Sequence, residues 1–520
     1  MLKKFQLAAL ALICSLALLA SCGGAGTTAP ATAPPAAIVG EGWWGFGRDV
    51  QHSSIGGATT QPLASLRWQA PVDVAPQYSG TSLLIHYGTP VISAANTVLV
   101  PVKTGATGGF RIDARAGPSG ALLWSATTDY ILPAQQNWVP SYNLSLTPGG
   151  RVYAPGAGGK LFFRDAVDSA TGTLQTVVFY GADIYNASRA AFDAGVTINT
   201  PLTIDSRGNI FFGFIANGTN PANLTSGVAR VGADGRGTWV SASVAASDAA
   251  ILKVATNSAP ALSADLATLY VAVNTSNAGG SLPSGYLLAL DATTLATRAR
   301  ARLTDPARNA PAWVSDDATS SPTVGPDGDV YFGVLEAAPP SHNYTGWMLH
   351  FDATLGQKKT PGAFGWDTTA SIIPASMVPA YTGPSRYLLM TKFNSYGGVG
   401  TGNGRHRLAI LDPNQTQTDA FSTASVMKEV QSILGVTPDP GYPGGVMEWC
   451  INTAAVDVAG KSVLANSEDG ILYRWDLPSN RFSEQIRLNS GYAQAYTPTA
   501  IGPDGAVYSV NNATLFAVGR

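Results

Sequence analysis

Glu448, Trp449, Cys450, Ile451 and Asn452 put an acid, an indole, a thiol and an amide into five consecutive residues. A carboxylate beside an indole can lose water, which raises its pKa and suits it to acid or base work near neutral pH. Glu448 is therefore the best catalytic candidate in the chain. Cys450 is a weaker one, because no histidine lies close in sequence to take its proton, and a lone cysteine is ordinarily a small buried residue. His52, His86, His342, His350 and His406 are scattered without short ligand spacing and read as turn or packing residues, so no metal is expected through them. Asn466 to Gly470 has the acidity of a calcium loop, but it lies between two strand patterns, where Asp-Gly signals a hairpin. The glycine-rich stretch from Asn394 to Gly404 lacks the lysine and following helix of a phosphate cradle and reads as an inserted loop.

The elements that must hold these residues are strands. The 520 residues include 57 Gly and 34 Pro, only 12% are charged, and the formal net charge is −2. Such a chain has no electrostatic footprint for nucleic acid. Its turn-rich composition, with frequent Val, Thr and aromatic residues and hardly any helical period, is that of an all-β protein. It also repeats. Ser321 to Val334 (SPTVGPDGDVYFGV) and Thr497 to Val510 (TPTAIGPDGAVYSV) match almost residue for residue, each an apolar strand, a Pro-Asp-Gly turn and a second apolar strand. Looser copies start near Thr89, Tyr142, Thr200 and Ala259, and degenerate ones surround Tyr387 and Thr453. The second strands then begin at Val98, Val152, Ile210, Leu269, Val330, Tyr387, Val463 and Val507. A third stretch ends near Asp291, Asp352, Asp412 and Asp476, and a fourth follows in several units, as around Trp124.

A four-stranded meander with two apolar faces cannot stand alone, and radial packing of copies buries the faces. The reading is a single β-propeller of four-stranded blades, with eight blades, or seven if a degenerate unit is misread. The final unit lacks one strand, and Leu66 to Val72, ahead of the first repeat, has the character to supply it. Residues directly before each innermost strand should converge on the central funnel. That register nominates His86, Trp138, Asn199, Glu448, Trp449 and Asn452 as ligand-binding residues, with Tyr87, Tyr142, Asn257, Ser320, Tyr492 and Tyr496 around them. Funnels also collect polar groups simply because they hold water, and that alternative stands beside the site.

The repeat, together with Trp44-Gly-Phe-Gly-Arg-Asp49 and the residues to Ser53, resembles the PQQ-binding-like (quinoprotein-like) propeller repeat over roughly residues 42 to 520. The resemblance implies the propeller fold. It implies two kinds of function, since bearers include quinone-dependent alcohol dehydrogenases, which would bring PQQ with calcium, and non-enzymatic lipoproteins that scaffold outer-membrane protein assembly. The dehydrogenases carry a disulfide between adjacent cysteines and often a haem motif. This chain has neither, Cys450 being its only cysteine besides Cys14 and Cys22.

Residues 1–22 read as an export signal: Lys3 and Lys4, an apolar run from Phe5 to Leu19 that is shorter than the roughly 20 residues of a spanning helix, then Leu19-Ala-Ser-Cys22. That end resembles a bacterial lipobox, which implies lipidation at Cys22, with Gly23 favouring the outer membrane. Residues 23–38 form an Ala/Thr/Pro tether, and residues 39–520 the propeller. The expected protein is an exported, lipid-anchored, monomeric propeller. It would bind or scaffold an envelope protein partner, with an enzyme at the funnel as the alternative.

Overall fold

The computed structural model describes residues 41–80, 82–83, 86–106, 108–132, 142–275, 283–316, 320–491 and 494–520, all within the unit Ala37–Arg520. The expected anchor residue Cys22, and Trp138 and Tyr492 of the expected funnel, lie outside the described residues.

Eight antiparallel sheets of four-stranded order make eight blades. Their innermost strands are Val91–Ile92, Ser145–Leu146, Thr203–Ile204, Ala261–Leu262, Thr323–Val324, Ser371–Pro374, Ala455–Asp457 and Ala500–Ile501. The second strands, among them Thr97–Lys103, Ile210–Ala216 and Val330–Val334, start within one residue of every position expected from the repeat. The third and fourth blades add a short extra inner strand, Val196–Ile198 and Lys253–Val254. The eighth blade is closed by Ser65–Pro71, whose register runs from Ser65 against Gly519 to Pro71 against Thr514. The wide spacing in the sixth blade comes from long outer strands, Arg407–Thr418 and Ser425–Leu434.

Burial falls from the inside outward. Thr97–Lys103 and Tyr387–Phe393 are buried along their whole length, because both faces of the sheet meet a neighbouring blade; this is why the second strands read as unbroken apolar runs. The outer strand Arg481–Arg487 alternates between exposed and half-buried residues. The core is accordingly a set of layers between blades: one joins the eighth to the first, another the sixth to the seventh.

The Pro-Asp-Gly turns explain their own conservation of sequence between copies. In both clear copies the residue before the proline bonds across the turn, Gly325 N–H to Asp329 O at 2.8 Å and Gly502 N–H to Ala506 O at 2.9 Å. The glycine that follows takes φ of 91° and 80°, which a side chain would resist.

A meander has its odd turns at one end and its even turns at the other, so equal blade polarity divides the connections between two faces. One face carries the tight turns. The other carries the long connections between blades, where the helices Ala182–Ala187, Arg189–Gly195 and Ala242–Ala246 lie.

Candidate functional site

The funnel mouth opens on the long-connection face. Tyr87, Asn143, Asn257, Asn452 and Tyr496 line it, and Phe46 lies at its floor. The polar groups among them bind neighbouring blades together. Asn452 Nδ2 donates to the Tyr496 hydroxyl at 2.8 Å and to the Asp367 carbonyl at 3.1 Å. Tyr87 donates to Asp73, which also meets Lys103 at 3.3 Å. His86 is buried, its ring 5.1 Å from that of Tyr496.

Two nominated residues take other places. Asn199 is fully buried between the third and fourth blades, where its Nδ2 donates to Val254 O at 2.9 Å. Trp449 does not line the mouth: its indole packs against Tyr473 and Phe482, centroids 5.7 and 6.0 Å away, in the layer between the sixth and seventh blades. Extended chain explains this, since alternate side chains point to opposite sides. Asn394 clamps the Trp449 peptide from both ends, accepting from its N–H and donating to its carbonyl at 3.1 Å each. Trp449 and Ile451 consequently enter the core.

Around Glu448 the fold gathers a cluster of titratable groups that sequence spacing could not have shown, because they come from loops and a strand that lie far apart in the chain. Asp367 and Lys392 form an ion pair with each side chain about 1% exposed. Burial pushes the Asp367 carboxyl up to about 6; Lys392 opposes the shift and Glu448 adds to it. Burial also drives the Cys450 thiol and the Tyr396 hydroxyl well above their ordinary values, with Glu468 adding to the first and Glu448 to the second. His406 is pushed down by burial. Cys450 itself is 2% exposed and its sulfur donates to Gln494 Oε1 at 3.6 Å. Such a cluster can hold and move a proton, but its thiol is kept protonated.

His342 and His350 are structural. His342 stacks on Trp347 and meets Asp419 at 3.0 Å. His350 stacks on Tyr331 and meets Asp329 at 2.9 Å. Asn466 to Gly470 is the expected hairpin between Ser462–Asn466 and Ile471–Asp476.

One element was not foreseen. The segment from Trp43 to Gly56 runs around the inside of the ring beside the innermost strands. The second residue of six of these strands donates its amide to a segment carbonyl: Ile92 to Trp43, Leu146 to Trp44, Leu262 to Val50, Val324 to Gln51, Ile372 to Ser53 and Val456 to Ser54, at 2.7–3.0 Å. Trp44 to Ser53 carry the family resemblance, and nothing in their side-chain pattern marks a segment that bonds six blades in turn.

No family model matches the chain, and no curated protein matches it. Solved structures do. The europium-containing methanol dehydrogenase superposes with a TM-score of 0.55 at 10% identity, covering 90% of this chain and 89% of that one. The quinohemoprotein alcohol dehydrogenase from Comamonas testosteroni gives 0.55 at 13%, covering 92% and 81%. BamB from Moraxella catarrhalis gives 0.42 at 12%, covering 89% and 100%. At such identities the likeness is one of fold, and the fold is the eight-bladed PQQ-like propeller.

The PQQ and calcium that the sequence resemblance implies do not fit the mouth as the described residues form it. It leaves about 20 Å³, room for about one water, and amides, phenols and prolines line it. Among the described residues no three of His, Cys, Asp and Glu stand together so as to hold a metal ion.

Proposed function

We propose that this chain is an exported, lipid-anchored binding module of the cell envelope, which presents the long-connection face of its propeller to a protein partner. The observation that carries this is the distribution of exposed apolar side chains. Of the nine large ones among the described residues, seven lie in connections between blades: Val74, Tyr78, Ile131, Ile184, Val244, Leu252 and Val436. All but Val436 belong to four successive connections, from the eighth blade round to the fourth. Apolar groups gathered on one face, with a near-neutral charge, are what a protein interface uses. The lipobox resemblance at Cys22 and the Ala/Thr/Pro tether support the anchoring. Replacing Cys22 with Ala should move the protein from the membrane fraction to the soluble one or stall its processing; unchanged processing and fractionation would remove the anchor. A photo-crosslinker at Ile131 or Val244 should capture a defined envelope protein, and one at Asp234 on the tight-turn face should not. Equal capture from both faces, or none from either, would overturn the docking reading.

A second reading, catalysis at the mouth, draws on the titratable cluster alone. There Glu448 and Asp367 would exchange a proton with a substrate held by Asn452. A thermal-shift screen that finds a ligand, whose effect is lost in both Glu448→Gln and Asn452→Ala, would raise this reading above the first.

A further inference from the structure

Between the first and the seventh blades the segment inside the ring skips one. Between Trp44, which bonds the second blade, and Val50, which bonds the fourth, the chain turns back on itself: Trp44 N–H reaches Arg48 O at 3.1 Å and Arg48 N–H reaches Gly45 O at 3.1 Å. Gly47 and Arg48 take φ of 59° and 73° to make that turn. No segment carbonyl meets the amide of Ile204, which holds in the third blade the position of Leu146 in the second and Leu262 in the fourth. A cavity of about 170 Å³ opens there, on the tight-turn face and so away from the funnel mouth. Its walls are mostly apolar and include Trp44, Phe46, Val50, Leu146, Pro148 and Leu202.

We infer that this cavity binds a small neutral aromatic molecule carrying a carbonyl and a hydroxyl. The size fits one ring with short substituents, since a cavity of about 150 Å³ takes benzene. The carbonyl answers the Ile204 amide, the one donor of its kind from the first blade to the seventh that the segment leaves unmet. The hydroxyl answers His52, which lines the cavity. His52 Nδ1 lies 2.7 Å from the Pro322 carbonyl and must donate to it. Burial lowers the ring's pKa to about 4, so the imidazole is neutral and Nε2 is an acceptor. Neutrality of the ligand follows from Arg48, whose charge is balanced by Glu41 at 2.7 Å and Asp49 at 3.8 Å, while its buried Nε keeps no hydrogen-bond partner.

Ligand-observed NMR on the purified full chain with 4-hydroxyacetophenone tests this. Saturable binding is expected, at least fivefold tighter than for acetophenone, which lacks the hydroxyl, or for the anionic 4-hydroxybenzoate. Leu202→Trp should fill the cavity and abolish binding. Ser206→Trp, at the exposed rim where folding is not at stake, should weaken it at least tenfold. His52→Phe should bring 4-hydroxyacetophenone and acetophenone to equal affinity. Absence of saturable binding by the parent, binding that survives Ser206→Trp, or a preference for the hydroxyl that survives His52→Phe would each overturn the assignment.

Discussion

The indole N–H of Trp68 donates to the carbonyl of Gly117 at 2.7 Å, fastening the closing strand of the eighth blade to a turn of the first. Trp124 makes the same bond one blade on, to Val167 O at 2.7 Å. The ring closure is thus built with the device that joins ordinary neighbours. Gly120 lies beneath the Trp68 ring, where a Cβ would come within 2.6 Å of it. Trp68→Phe, which removes the hydrogen bond and part of the ring's packing, should cost at least about 1 kcal/mol. Trp68→Ala should cost about 2–4 kcal/mol, the indole being only partly buried. Removing the chain through Val72 should expose a whole sheet edge and cause aggregation. Urea midpoints measure the first two, and a truncated protein that melts cooperatively at the parent temperature would dispose of the closure.

Most of the fold was legible because its signals are local. A turn glycine such as Gly328, an apolar run such as Val330–Val334 and an aspartate ending a strand all act within about ten residues, and the apolar second strand recurs in all eight units. The closing strand was legible as a deficit in the final unit. The site was less so. Asp367, Lys392, Cys450 and Glu468 meet across three blades, and of these only Cys450 belongs to the run from Glu448 to Asn452. Trp449 precedes an innermost strand as the funnel residues do, but its indole turns into the layer between the sixth and seventh blades, a choice that position in the chain does not fix. The inner segment, Trp43 to Gly56, makes its bonds through backbone carbonyls, which leave no mark on side-chain identity.

Cys450 should behave as an inert thiol. It is 2% exposed, and burial with Glu468 nearby raises its pKa well above the ordinary value, so thiolate is scarce at neutral pH. A chromogenic disulfide reagent at pH 8 should leave it unmodified in the folded protein for hours and react within minutes after denaturation. Rapid reaction in the native state would show a thiol open to the mouth, and would favour catalysis there.

His52 sets an acid limit on stability. Its folded pKa is lowered from 6.5 to about 4 by burial. Between those values the unfolded chain takes up a proton that the fold does not, so stability is lost as the pH falls from 6.5 towards 4. The full effect is about 3 kcal/mol, from roughly 1.4 kcal/mol per unit of pKa. Urea midpoints for the parent should therefore fall more steeply over this range than those of His52→Asn, which keeps a donor for the Pro322 carbonyl and cannot titrate. Parallel profiles would mean that the ring is hydrated and takes its proton in place.

The Asp367–Lys392 pair should prove costly to break and cheap to replace. Removing one member of a buried pair strands the other charge, a loss of about 3–5 kcal/mol, whereas an apolar pair of similar volume is often neutral. Lys392→Met should therefore destabilise strongly, and adding Asp367→Leu should restore most of the loss. The pH dependence separates this from simple packing damage. Burial already holds Asp367 near 6 against an ordinary 3.8, and Lys392 is what keeps it from rising further. For a carboxyl raised in the fold, stability is greatest below the ordinary value and falls as the pH rises through the folded one. In Lys392→Met that rise is larger, so the deficit against the parent should shrink as the pH falls from 8 to 4, where Asp367 is buried as a neutral acid. A deficit that is the same at both pH values would mean that Lys392 contributes its hydrocarbon stem and that the charges do not meet.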